Sequence, residues 1–166
     1  MGSVSALSEL GGGVFLELSH ELDYLHWFFG RPKDVQAQIR NSGTLDISVE
    51  DQVDLLMTSE LGYCISMQID FNRRHVERKC RVLTTEGELT WDAVGKSVTW
   101  KAVNKDSLRY EYSNEKDYMY RTQLGKFIDC VENGGCPVVS IEDGVNVIKL
   151  IDASRDASIK GSKIYL

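Results

Sequence analysis

Residues 11–30 read GGGVFLELSHELDYLHWFFG, and within that stretch Glu17, His20, Glu21 and Tyr24 carry side chains suited to moving a proton. At about 100° per residue of helix, the four fall within roughly 100° of one another. A carboxylate one turn from an imidazole fixes a ring's tautomer and favours its protonated form, which is what proton exchange near neutral pH requires. His20 with Glu17 is therefore the candidate acid–base pair, and Glu21 and Tyr24 are candidate substrate contacts. Gly11, Gly12 and Gly13 leave room for other backbone or a ligand to approach the helix start, an end that favours negative charge, which adds Gly13 to the candidate contacts. The same spacing also suits a solvated helix face whose acids complement the helix dipole. A phosphate loop does not fit, because neither GxGxxG nor GxxxxGKS/T is present and no strand precedes the glycines. His26 and His75 have no convincing partners in the sequence, and Asp23 and Trp27 flank the polar face, where packing or subunit contacts suit them as well as substrate does.

The elements that must hold these residues follow from hydrophobic period. Phe15, Leu18, Leu22, Leu25 and Phe29 recur at three- and four-residue steps, predicting one helix over 14–29 that Gly30 and Pro32 stop. From there to about Val103 the period is two. Val35, Ala37 and Ile39 alternate with polar neighbours, as do Val53, Leu55 and Met57, and YCISMQIDFN places Tyr63, Ile65, Met67, Ile69 and Phe71 on one face. The turn signals Asn41-Ser42-Gly43, Leu61-Gly62, Glu86-Gly87 and Gly95-Lys96 are short, which suits antiparallel neighbours in a meander. A helix over 116–132 is expected to carry Tyr120, Leu124, Phe127, Ile128 and Val131 on one side and to stop at Asn133-Gly134-Gly135. A last helix starts at Ser140, where Ser140 and Asp143 resemble a capping box, and is expected to run to about 157 with Ile141, Val145, Ile148 and Ile151 along one side. The predicted class is α+β: one domain over 1–166, a mostly antiparallel sheet of about six strands, helices on one face and the other face open.

Composition narrows the partners. The 166 residues are 42% hydrophobic and 27% charged, close to the average for globular proteins. A net charge of −6 argues against nucleic acid, whose backbone is gripped by clustered Lys and Arg. The basic run Arg73 to Arg81 suits a charged strand end better than an anion site. Cys64, Cys80, Cys130 and Cys136 have no metal-ligand spacing, so reduced thiols and no metal are expected, with Cys64 and Cys80 as candidates to face each other on neighbouring strands. With neither a spanning nor a signal segment in the sequence, a cytoplasmic setting and no membrane partner are expected.

The stretch from Gly11 to Gly30 resembles the segment that opens the C-terminal domain of the Gfo/Idh/MocA family of NAD(P)-dependent oxidoreductases. That family's pattern is GGG, three apolar residues, Asp, a short gap, His, two residues, Asp, and an apolar run ending in Gly. Gly11 to Gly13, Glu17, His20, Asp23 and Gly30 stand at those places. The closing segment from Phe127 to Leu166 is similar to the family's last two helices and strand, and RVLTTEGELTWD resembles its Gly-centred hairpin. The resemblance implies a two-domain enzyme of which this chain is the second domain, with the Rossmann domain and its catalytic Lys absent. NAD or NADP would then be bound by the parent, and this fragment would hold no cofactor and be inactive alone. His20 matches the family histidine that carries or relays the substrate hydroxyl proton, and Glu17 takes the place of the usual Asp, one methylene longer and one residue closer to the His. LSHELDYL looks like a branch that acts on sugars, so the expected substrate is a sugar or nucleotide-sugar, and the open sheet face is the expected homo-oligomer contact. The alternative is a non-catalytic assembly or binding module using the same face for protein contact.

Overall fold

The computed structural model describes residues 4–113, 115 and 117–166. Residue 116, where the second expected helix was to begin, lies outside them. The described chain has the expected α+β composition, but its strands form two four-stranded antiparallel sheets, each in a compact unit of its own.

The first unit comprises residues up to Asn72 and from Val139 onward. Its sheet joins β1 (Pro32–Arg40), β2 (Gln52–Ser59), β3 (Cys64–Asp70) and the short β8 (Ile164–Tyr165) in the order β3-β2-β1-β8. Alternation sets the faces: Val35, Val53, Leu55, Met57, Ile65 and Ile69 are buried, while Gln36, Gln38, Leu56, Ser66 and Gln68 are exposed. Register places Ala37 opposite Leu55 and Leu55 opposite Met67, so the apolar side chains line one face. Against that face lie Val14 and Phe15 of α1 (Val14–Glu17), Leu22 and Leu25 of α2 (Ser19–Phe29), and Val147, Leu150, Ile151 and Ala157 of α4 (Ile141–Lys160).

Helix α4 begins with the expected box. Asp143 N–H donates to Ser140 Oγ at 3.1 Å and Ser140 N–H to Asp143 Oδ2 at 2.8 Å. These bonds from Ser140 hold the Asp143 carboxyl below its ordinary range. Of the stripe expected on α4, Ile151 is fully buried, but Ile141 is 87% exposed and Val145 and Ile148 are also exposed. The apolar run is broad enough to offer two stripes, and the chosen one buries Ser154, whose hydroxyl donates to Leu150 O at 2.7 Å and so needs no other partner.

The connection from β1 to β2 is organised by a fully buried acid, Asp51. Burial pushes its carboxyl up, but hydrogen bonds from the side chains of Ser42 and Asn72 and the N–H of Ser42 prevail and hold it below its ordinary range. With Asp51 pinned, neighbouring Glu50 accepts the N–H of Val14 at 3.0 Å, which ties the loop to the start of α1.

The second unit, Arg73–Val138, holds β4 (Lys79–Leu83), β5 (Gly87–Asp92), β6 (Ser97–Ala102) and β7 (Leu108–Glu111) in sequential order, followed by α3 (Tyr118–Asn133). The expected hairpin is β4–β5, with Val82 opposite Leu89. Cys80 lies opposite Trp91, so Cys64 and Cys80 belong to different sheets and are not on neighbouring strands; all four cysteines are free thiols. The stripe expected on α3 is present but exposed, from 45% at Ile128 to 69% at Val131. The basic run is matched locally by acids: Lys79 Nζ lies 3.1 Å from Glu77, which also pairs with Arg73, while Arg78 sits 5.4 Å from the Trp91 ring centre.

Candidate functional site

The helix expected over 14–29 is two helices. Leu18, at φ −103° and ψ 23°, leaves the helical region after one turn, and α2 restarts at Ser19. Both pieces keep their core stripe, with Phe15 and Leu22 fully buried. The break changes the phase of Glu17 relative to His20, and the structure does not pair them. Glu17 is exposed and its Oε1 accepts the hydroxyl of Ser5 at 2.8 Å. The acid beside the imidazole is Glu21, whose Oε1 lies 3.1 Å from His20 Nε2. The His20 side chain is 55% exposed and that of Glu21 only 11%, so a shielded carboxylate lies beside one ring nitrogen while most of the ring is open.

This arrangement sets the chemistry the ring can do. A proton on Nε2 would face Glu21 and leave the lone pair on Nδ1, the atom then able to accept a proton from a bound hydroxyl. Tyr24, one turn on, lies on the same side of α2 and is half-buried, its ring edge-on to Phe28 at 5.6 Å. Two hollows open elsewhere, one lined by Gln36, Gln38, Asp54, Ser66 and Gln68 among others, the second by Ser113, Glu115, Tyr118, Arg121 and Thr122; neither is lined by His20.

Gly13 is where the sequence reading and the structure part. Its φ is +116°, it is buried, and a Cβ built on it would lie 2.5 Å from Glu50 Oε1. Gly12 is covered likewise by the backbone of Ser5 and Val4, and Gly13 N–H donates to Ser5 O at 3.0 Å. The close approach that the glycines permit is therefore made by the chain itself, and Gly13 offers no surface to a substrate.

His26, which has no convincing partner in the sequence, proves to be the perturbed histidine. Its Nε2 is buried without a hydrogen-bond partner. Burial, opposed by Asp23, aided by Arg31 and opposed by Asp143, lowers its pKa below the ordinary imidazole value. The unfolded chain then binds the proton at a pH where the folded chain does not, so this residue's contribution to stability is complete above about pH 6.5 and is lost as pH falls toward the folded value. Melting temperatures measured between pH 7.5 and 5 should fall less steeply in His26→Leu than in the wild type. Equal slopes would show that the ring titrates freely in the fold.

Among the described residues no group of three or more His, Cys, Asp or Glu is placed to hold a metal, and no helix is long and apolar enough to cross a membrane.

The fold of this chain is shared with known proteins. No curated protein matches the sequence significantly. Levoglucosan dehydrogenase, solved with NADH and levoglucosan, superposes with a TM-score of 0.88 at 14% identity, covering 99% of this chain and 53% of that one. The aldose-aldose oxidoreductase of Caulobacter crescentus, solved with glycerol, gives 0.80 at 19% identity over 94% and 48%. The WlbA dehydrogenase of Bordetella pertussis, solved with NADH and UDP-GlcNAcA, gives 0.73 at 19% over 93% and 48%. This chain thus spans about half the length of the proteins it resembles. The family model described as "Oxidoreductase family, C-terminal alpha/beta domain" matches residues 6–166, and the chain belongs to that Gfo/Idh/MocA family as its C-terminal domain.

Proposed function

We propose that this chain is the substrate-side domain of an NAD- or NADP-dependent oxidoreductase acting on a hydroxyl or keto group of a sugar or nucleotide-sugar, with His20 as the acid–base group. The observation that carries the reading is a half-exposed imidazole whose Nε2 lies 3.1 Å from the shielded Glu21 carboxylate. Sugars or glycerol accompany the related structures named above, two of which also hold NADH, which supports the same class. The described residues do not fit a dinucleotide site of the Rossmann type: both sheets are antiparallel, and the parallel strand–helix–strand crossover such a site needs is missing from them. A nicotinamide supplies hydride chemistry wherever it is bound. The share of this chain is to seat the sugar against α2 and to take the hydroxyl proton on His20 Nδ1 in oxidation or return it in reduction. By itself the chain is not expected to turn over.

In the complete enzyme, Glu21→Gln should lower kcat/KM by about tenfold or more, because the ring loses the charge that fixes its tautomer. Glu17→Gln should change it by no more than roughly twofold, as an exposed acid bonded to Ser5 would. The reverse order would reinstate Glu17 as the partner and overturn the pairing.

Self-association through a sheet face belongs to the same reading. The second sheet gathers Val82, Leu89, Trp91, Val98, Trp100 and Tyr110 on one face by its register, and Leu108 and Tyr110 are each 67% exposed. Sedimentation equilibrium should give a mass above 18.7 kDa that Tyr110→Glu returns to the monomer value. A monomer for the unmodified chain at high concentration would count against it.

A further inference from the structure

The end of α3 brings two of the four thiols together. Cys130 stands in the last turn of the helix, which ends at Asn133, and Cys136 follows across Gly134 and Gly135. The Cys130 thiol donates to Cys136 O at 3.4 Å. A carbonyl oxygen lies about 2.4 Å from its own Cα, so Cys136 Cα is within about 6 Å of Cys130 Sγ. Cys136 is exposed and Cys130 half-buried, and both are free thiols. A thiol is a weak donor, so this bond alone holds the Cys130 sulfur only loosely in its place.

The turn between them has room to close. Gly134 and Gly135 stand at φ +74° and +136°, where glycine meets no steric penalty, and a Cβ built on either would meet nothing within 4 Å. A disulfide needs Cα atoms about 4.4–6.8 Å apart, a separation that rotation within this open turn can supply. Cys64 and Cys80 lie on strands of separate sheets, where no ladder sets them face to face. A metal does not account for the pair, since among the described residues no group of three or more His, Cys, Asp or Glu is placed to hold one. An exposed thiol with a second, more shielded one beside it is the arrangement that thiol–disulfide exchange uses, the first to meet the oxidant and the second to resolve it.

We propose that Cys130 and Cys136 are a reversible dithiol site that exchanges with small-molecule disulfides, and that its closed form clasps the Gly134-Gly135 turn to the last turn of α3. The Cys136 thiolate attacks one sulfur of oxidised glutathione. The glutathione S–S bond breaks, a bond from Cys136 to glutathione forms, and the departing glutathione thiolate takes up the proton that Cys136 gave up. Cys130 Sγ then attacks Cys136 Sγ, the mixed disulfide breaks, and the second glutathione leaves with the Cys130 proton. Two protein thiols are oxidised and one glutathione disulfide is reduced to two thiols, and an excess of reduced glutathione runs the exchange backwards. In a reducing compartment the pair rests as thiols and closes only transiently.

The test incubates the whole chain with oxidised glutathione, blocks remaining thiols with iodoacetamide and digests with trypsin, which cuts after Lys126 and Lys149 and so leaves both cysteines on one fragment. That fragment should be two hydrogens lighter than the reduced form and free of the alkyl group, and reduced glutathione should restore both thiols. Cys130→Ser should stop at glutathione on Cys136, and Cys136→Ser should leave Cys130 modified at least about tenfold more slowly, as a shielded thiol is. In the closed form, amide exchange over residues 130–136 should slow at least about threefold. A wild-type fragment that accumulates glutathione on Cys136 without closing, or that stays fully alkylated while Cys64 is modified, would overturn the pairing, as would a bridge from either residue to Cys64 or Cys80. A closed bridge with amide exchange unchanged would overturn the clasp. The wild-type result stands without the variants, and no outcome depends on His20.

Discussion

His20→Asn should lower kcat/KM of the complete enzyme by about 10²- to 10⁴-fold, equivalent to about 3–5 kcal/mol of transition-state stabilisation, with KM little changed. Asn is the informative replacement because its amide keeps a polar group near the position of Nδ1 yet cannot take up a proton. If His20 only bound the hydroxyl, the amide would substitute for it in part and the loss would appear in KM. If His20 moves the proton, the loss falls on kcat, and the part of the pH–rate profile governed by the imidazole disappears with it. The variant should fold normally, since the His20 side chain is 55% exposed and lies outside the core cluster. A melting temperature within a degree or two of wild type is the control, as surface substitutions of this kind stay within about 0.5 kcal/mol. An unchanged kcat/KM in a folded variant would remove His20 from the chemistry and leave α2 as a binding surface alone.

Much of the fold was legible because period is a direct consequence of burial. The alternation in β1, β2 and β3 assigns every core residue of the first sheet to the correct face, and the turn signals fall where strands end. The division into two sheets was not legible, because a meander pattern says which strands are sequential but not where hydrogen bonding stops. The Ser140–Asp143 box could be read from local chemistry, whereas the buried side of α4 could not, since Val145, Ile148, Val147 and Leu150 offer apolar residues on more than one side. In the candidate site, the type and setting of His20 single it out in the sequence. The acid beside it was not legible, because the break at Leu18 carries no Gly or Pro, so a helical wheel drawn through it sets His20 with Glu17, whereas Glu21 lies 3.1 Å from the ring. His26 was passed over for a related reason: desolvation by packing leaves no mark in residue spacing.

Gly13 gives the second large effect, and it concerns stability. At φ +116° and ψ 148° the residue occupies a region essentially restricted to glycine, where any side chain costs on the order of 1–3 kcal/mol. A Cβ there would also sit 2.5 Å from Glu50 Oε1. To yield, that carboxylate, the flexible end of a shielded side chain, must move from its place 3.8 Å from the Arg155 guanidinium. Gly13→Ala should therefore destabilise the first unit by about 2–4 kcal/mol, lowering its melting temperature on the order of 10 °C. Because the chain forms two compact units, the loss should be read from hydrogen exchange in β1 and β2, not from a single global transition. The two contributions separate in a cycle: with Glu50→Ala in the background the clash is gone, and Gly13→Ala should then cost only the backbone share, about 1–3 kcal/mol. An unaltered cost in that background would mean the carboxylate swings aside freely and the backbone carries the whole effect. A Gly13→Ala chain as stable as wild type, yet weaker toward sugar, would return Gly13 to the substrate site from which its burial removes it.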